Sequence, residues 1–358
     1  MMFTGTLSRY FFKRYCATMG WYLAGVLVFI FLVDFSSNSS RLSSLEGLTM
    51  GVTLYLTLLR LPLILQQTIP FITLFVGMTT LVALNRKYEL VVVRAAGISV
   101  WQFLLPLMAG ALITGLLTSL VINPLAAWGT REALKIQPNM LSGNTAAAPW
   151  FRQISPGEDL IIGAKTNSDG GTTLQDATIV HFDAAHRITL RQDAKTAKLK
   201  DGYWILNDVT ETNSNAETRK LAVVKIPTRL KKEFVQESQL HIETIAFYEI
   251  PQKMLAAASF GMSTKALQTQ LQSVIALPVL LVAMTLIAAC VSLQFSRFNQ
   301  SGTLILGGIL CGFVLYVVTV LVKAFGSSGI VPPFVAAWIP VVVAVSLGAA
   351  ILLHQEDG

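Results

Sequence analysis

Charge is scarce in this chain. Asp, Glu, Lys and Arg make up 13% of its 358 residues, about half the share of an average soluble domain. Hydrophobic residues reach 53%, and the mean hydropathy is +0.59. Long uncharged stretches separate the few charges. That pattern excludes a single large soluble core and predicts membrane-spanning segments. Cysteine is rarer still: Cys16, Cys290 and Cys311 are the only ones, all in or beside apolar stretches. A disulfide framework and CxxC zinc spacing are thereby excluded, and the three read as free thiols packed in helices.

The signatures of catalysis are missing as well. There is no GxxxxGK[ST] phosphate loop, so the chain has no P-loop ATP site of its own. Neither HExxH nor GxSxG occurs, since Gly326-Ser327-Ser328-Gly329 has a different spacing. His181, His186, His241 and His354 are scattered without metal-ligand spacing. The expectation is no catalytic residue, no metal site and no cofactor. The net charge of +7 comes without an interleaved basic and aromatic stripe, so no nucleic acid is expected. Cytoplasmic loops and an acidic ligand account for the basic balance instead.

What the chain does contain is six runs long enough to span a bilayer, each about 20 or more mostly apolar residues. They fall at 15–35, 52–84, 101–128, 267–295, 303–322 and 333–353. Arg9, Lys13 and Arg14 before the first run imitate a signal peptide. The run is too long for an h-region and no A-x-A-like cleavage site follows, so it reads as a retained helix. Pro62 and Pro70 are expected to bend the second helix, which neighbouring helices can accommodate. With a cytoplasmic N-terminus, the cytoplasmic side holds Arg9, Lys13, Arg14, Arg86, Lys87, Arg94 and Arg297. The short outer loops hold only Arg41 and Lys323. This bias predicts cytoplasmic termini and an insert outside the cytoplasm.

The insert, 129–266, has another texture. Short β-like runs recur at 150–154, 160–164, 177–182, 188–192, 203–209 and 221–226. Turn signals such as Pro156-Gly157 and Asp201-Gly202 separate them. The expected fold class is an α-helical integral membrane protein with six transmembrane helices and an inserted all-β, jelly-roll-like domain. Its parts are 1–128, 129–266 and 267–358.

Two constellations stand out. Residues 85–99 read NRKYELVVVRAAGIS, with Arg86, Lys87, Glu89 and Arg94 around an apolar run too short to span, and Gly97 as a stop signal. This is either a short helix docking into a partner or an ordinary basic loop. At the outer helix ends lie Arg41, Arg60, Arg131 and Lys135, the last two spaced to share one helical face. They either hold the phosphates or carboxylates of an anionic amphiphile or snorkel to lipid headgroups.

At this point several stretches resemble one family, the permease subunits of the lipopolysaccharide export ABC transporter (LptF/LptG, YjgP/YjgQ), and specifically its LptG-type half. They are KYELVVVRAAGIS from Lys87, Trp150-Phe151-Arg152, Tyr203-Trp204-Ile205-Leu206, GGILCGFVLY from Gly307 and GSSGIVPPFVAAWIPVVV from Gly326. Each is weak alone, and their order over nearly the whole chain is specific.

The resemblance implies a non-catalytic permease in the inner membrane of a Gram-negative bacterium, serving outer membrane biogenesis. It implies an LptB-type ATPase dimer that binds the ATP and magnesium, a second six-helix permease of the LptF type, a membrane-anchored periplasmic jelly-roll subunit of the LptC type, a periplasmic bridge of the LptA type, and lipopolysaccharide as the cargo. It makes 85–97 a coupling helix, with Arg86, Glu89, Leu90, Val93, Arg94 and Gly97 as ATPase-coupling residues, Glu89 and Arg94 foremost. Arg41, Arg60, Arg131 and Lys135 become lipid-binding residues. Two positions depart from the family: Phe31 and Leu63 stand where relatives often carry a basic residue. The alternatives are the LptF-type half and a membrane-anchored periplasmic scaffold protein.

Overall fold

Helix length is the first thing the apolar runs dictate. The computed structural model describes residues 5–42, 50–136, 150–155, 158–168, 172–182, 188–200, 202–213, 218–228, 244–259, 263–294 and 302–357. Among them, six helices are long and apolar enough to cross a membrane. The first three spans are α1 (Thr6–Leu42), α2 (Met50–Arg86) and α4 (Val100–Leu117), the last running on through a π-helical turn, Thr118–Ile122, into α5 (Asn123–Ile136). A short α3 (Glu89–Ala95) separates α2 from α4. Six strands and a short α6 (Ile250–Ser259) follow, and then α7 (Lys265–Gln294), α8 (Gly302–Ser328) and α9 (Pro333–Asp357). The 37 residues of α1 and of α2 extend about 55 Å each at 1.5 Å per residue. That exceeds the ~30 Å hydrocarbon core, so both helices continue beyond it.

The chain forms two compact units. Met1–Ala133, Ala246–Tyr248 and Lys265–Gly358 make the helical one; Leu134–Ile245 and Glu249–Thr264 make the other. In the helical unit α7 is the hub, packing against α2, α4, α8 and α9. Buried residues fill 67% of its apolar window and 61% of that of α2, against 11% for α1 and for α8. The outer helices therefore present nearly bare apolar faces, as suits lipid or another membrane subunit.

Glycines set the closest approaches. A Cβ at Gly129 would run into the Leu59 carbonyl oxygen, and one at Gly312 into the Leu74 side chain. The π-helical turn has a local cause. Asn123 donates its N–H to the Thr118 carbonyl, five residues back, and Pro124 has no N–H to donate. Widening the turn by one residue eases the clash a proline ring makes with the preceding turn.

The second unit holds β1 (Trp150–Ser155), β2 (Glu158–Ser168), β3 (Thr173–Phe182), β4 (Ile188–Lys200), β5 (Tyr203–Asn213) and β6 (Thr218–Pro227). They pair antiparallel in sequence order, β1-β2-β3-β4-β5-β6. The fold class is thus six apolar helices with an inserted antiparallel β domain, and the described strands run as a meander without the crossovers of a Greek key.

The sheet is creased. Its register steps over Asp176, Lys195 and Asp208 on neighbouring strands, and Asp176 and Asp208 take φ of 49° and 52°. Across that line the buried face changes parity, from Leu174 to Ala177 in β3 and from Leu206 to Val209 in β5. Such local left-handed residues re-aim a strand as a bulge does. Trp204, fully buried, anchors one side of the crease.

Candidate functional site

The link between α2 and α4 folds into a helix because its ends carry stop and start signals. Tyr88 adopts a left-handed conformation, φ 58°, and breaks the chain away from α2. At the other end Gly97, φ 79°, donates to the Arg94 carbonyl while Ile98 donates to that of Val93. These two bonds are the Schellman closure, which needs a positive φ at the glycine. Ser99 then caps α4 in a reciprocal capping box with Gln102.

This helix has two apolar faces. Leu90 and Val93 are 4% and 7% exposed, packed in one core with Phe11, Leu81, Leu84 and Phe103. Tyr88, Val91 and Val92 are 72%, 48% and 67% exposed, beside exposed Arg86, Lys87 and Arg94. The structure turns Leu90 and Val93 inward, against the helices of this chain. Residues i and i+3 share one helical face, so this pair holds α3 to the bundle and leaves Val91 and Val92 on the open side. The exposed pair, Val91 and Val92, is the other half of the same apolar run.

Glu89 is also engaged internally. The Tyr10 hydroxyl donates to Glu89 Oε2 at 3.0 Å, Arg14 Nη1 donates to the same hydroxyl at 2.9 Å, and Arg14 pairs with Glu89 Oε1 at 3.8 Å. The start of α3 is thus tied to the first turns of α1.

Of the four cations expected to hold lipid, the structure describes the side chains of two. Arg60, on α2, lies 3.6 Å from the Asp34 carboxylate of α1 and donates to Asn38 Oδ1 at 3.3 Å. Asn38 in turn donates to Asp34 Oδ2 at 2.8 Å and to Thr57 Oγ1 at 3.3 Å. Arg131 is half-buried on α5 and makes contacts of its own. The side chains of Arg41, in the last turn of α1, and Lys135, near the end of α5, lie outside the described residues. The structure thus joins Arg60 to an acid.

Two polar features were not read from the sequence. Buried Asn123 accepts from the Phe247 N–H at 3.0 Å and donates to Gln66 Oε1 at 3.4 Å. It thereby fastens the returning 246–248 segment to the helices. Gln66 also lines a cavity of about 150 Å3 among α2, α7, α8 and α9, with Gln67, Ser273, Tyr316, Thr319 and Lys323. Polar groups at span depth are costly unless paired, and they mark functional interiors. Their sequence signal was the pair Gln66-Gln67 inside an apolar run.

Six spans, an inserted antiparallel sheet and a short helix between the second and third spans, with Arg86, Lys87 and Arg94 around it, define a polytopic membrane protein with an inserted β domain. The chain matches the family of the lipopolysaccharide export system permease LptF/LptG over residues 9–354, and it belongs to that family. No curated protein matches it significantly. It is accordingly a permease component of lipopolysaccharide export, seated in the inner membrane.

Proposed function

We propose that this chain is the LptG-type half of the exporter and that α3 is its coupling helix, seated in a groove of a cytoplasmic LptB-type ATPase dimer. The observation that carries the reading is the division of α3 into a buried pair, Leu90 and Val93, and an exposed apolar trio, Tyr88, Val91 and Val92. A short helix offering an apolar face framed by Arg86, Lys87 and Arg94 suits a groove on a partner. Motion of the ATPase would reach the spans through the Leu90–Val93 key and, at α1, through Glu89. ATP and magnesium belong to that partner, and no cofactor is assigned to this chain.

The Lys and Arg bias supports cytoplasmic termini and a periplasmic β unit. An LptF-type permease, an LptC-type jelly-roll subunit and an LptA-type bridge complete the path for lipopolysaccharide. Arg60, Arg131, Arg41 and Lys135 are the proposed contacts for its anionic groups, with Arg60 weakened by Asp34. The G-type assignment rests on the resemblance of 90–97, and the LptF-type half is the alternative.

A mild-detergent pull-down of the tagged chain, with mass spectrometry of proteins and lipids, tests the reading. An ABC ATPase, a second six-helix permease and lipopolysaccharide are expected to co-purify. A stable chain that retains no ATPase in several detergents would contradict it.

A further inference from the structure

The first and third spans start side by side. Phe11 lies 6.3 Å from Phe103, and a Cβ on Gly110 would strike the Tyr15 ring. These contacts advance in the same direction along both helices, so α1 and α4 run parallel here. On their other flank a cavity of about 570 Å3 opens between Ser8, Arg9 and Phe12 of α1 and Pro106, Ala109 and Ile113 of α4. That lies within the ~300–1,000 Å3 span of ligand pockets.

Polar and apolar groups are sorted along this groove. Arg9 and Ser8 stand at the end where both spans begin. Pro106, Ala109 and Ile113 recur at helical spacing and form one apolar stripe climbing α4, about 10 Å long. The two arginines here, five residues apart, differ in their surroundings. Arg14 is bound to Tyr10 and Glu89, whereas the exposed Arg9 guanidinium makes no hydrogen bond or ion pair to a described residue. No Asp or Glu precedes Asp34 in α1, so the helix supplies no acid at this depth.

We propose that this groove binds an anionic phospholipid of the surrounding bilayer, separate from the transported cargo. Arg9 takes the headgroup phosphate, for which the planar guanidinium offers two parallel donors. One acyl chain lies along Phe12, Pro106, Ala109 and Ile113. The arrangement is the basic pocket between spans that retains phospholipid headgroups. Lipopolysaccharide, with several chains, exceeds the cavity. A zwitterionic headgroup would bring its own cation toward Arg9 and is disfavoured. The site does not depend on which half of the exporter the chain is, nor on its orientation.

The test uses the full chain reconstituted in bilayers of equal phosphatidylglycerol and phosphatidylethanolamine, extracted gently and weighed by native mass spectrometry. The wild type is expected to retain phosphatidylglycerol over phosphatidylethanolamine. Arg9→Gln should cut that retention about tenfold, the scale of one charge-assisted hydrogen bond. Ile113→Trp, which fills the stripe and leaves the charge alone, should lower retention of both lipids while the melting temperature holds. Equal retention of the two lipids by the wild type would overturn the proposal, as would unchanged retention in both variants. So would a photo-crosslink from position 113 to a protein helix in the assembled complex.

Discussion

The Arg60 guanidinium and the Asp34 carboxylate meet at 3.6 Å between the first two spans, and Asn38 bridges them. Charges at this depth persist when paired and hydrogen-bonded. The pair is unequal, because the Asp34 side chain is 12% exposed and that of Arg60 is 25%. Arg60 has the longer reach to water once released. Arg60→Gln should therefore destabilise more, by about 2 kcal/mol, than Asp34→Asn. The double variant should cost less than the sum of the two. Thermal melting in detergent measures all three, and strict additivity would refute the coupling.

The same pair bears on cargo. Asp34→Asn leaves the Arg60 charge uncompensated. Lipopolysaccharide co-purifying with the chain should then rise, and Arg60→Gln should lower it. An unchanged lipid content in Asp34→Asn protein would show that Arg60 is structural alone.

Neighbouring residues of α3 should separate folding from coupling. Val92→Glu alters an exposed position and should abolish ATPase association with the melting temperature intact. Leu90→Ala deletes a buried side chain and should cost about 2–4 kcal/mol of permease stability. Association and melting curves for both variants decide the matter. Loss of stability in Val92→Glu, or of association alone in Leu90→Ala, would reverse the assignment of the two faces.

Tyr10→Phe removes the hydroxyl that joins Arg14 to Glu89 and nothing else. Exposed polar pairs contribute little, so stability should fall by about 1 kcal/mol or less. Amide hydrogen exchange at the start of α3 should accelerate, since that is where the clamp holds. Unchanged exchange across 88–92 would show that Leu90 and Val93 alone secure the helix.

Much of this was legible in the sequence and some was not. The six β-like runs coincide with β1 to β6, because Val, Ile, Tyr and Trp with turn residues between them signal strands strongly. Strand ends were not legible. β4 continues to Lys200 through Asp193, Lys195 and Lys198, residue types that disfavour strands and are tolerated once neighbouring strands pair with them. Helix ends were undershot for a similar reason: polar residues beyond the hydrocarbon core, such as Asn38 on α1, extend a helix without adding to its apolar run. At the site, composition marked residues 85–97 and Gly97 as the stop. It could not distinguish the buried from the exposed half of LVVV, because four consecutive aliphatic residues carry no periodicity. Nor could it show that Asp34 meets Arg60, a contact set by how two antiparallel helices come to rest.

Glycine substitutions probe that packing. Gly129→Ala places a methyl against the Leu59 backbone oxygen, which has no rotamer to yield, whereas Gly312→Ala meets the Leu74 side chain, which can turn aside. Gly129→Ala should destabilise by about 1–3 kcal/mol and Gly312→Ala by less. The reverse order of melting temperatures would mean that α5 moves away from α2 at little cost.

The most direct test of the central claim is ATP-driven extraction of lipopolysaccharide from proteoliposomes containing this chain, its partner permease and the ATPase, with a soluble acceptor. Extraction is expected to require both ATP and this chain and to fall to background with Val92→Glu. Extraction that proceeds equally without the chain, or is unaffected by Val92→Glu in a fully assembled complex, would contradict the account.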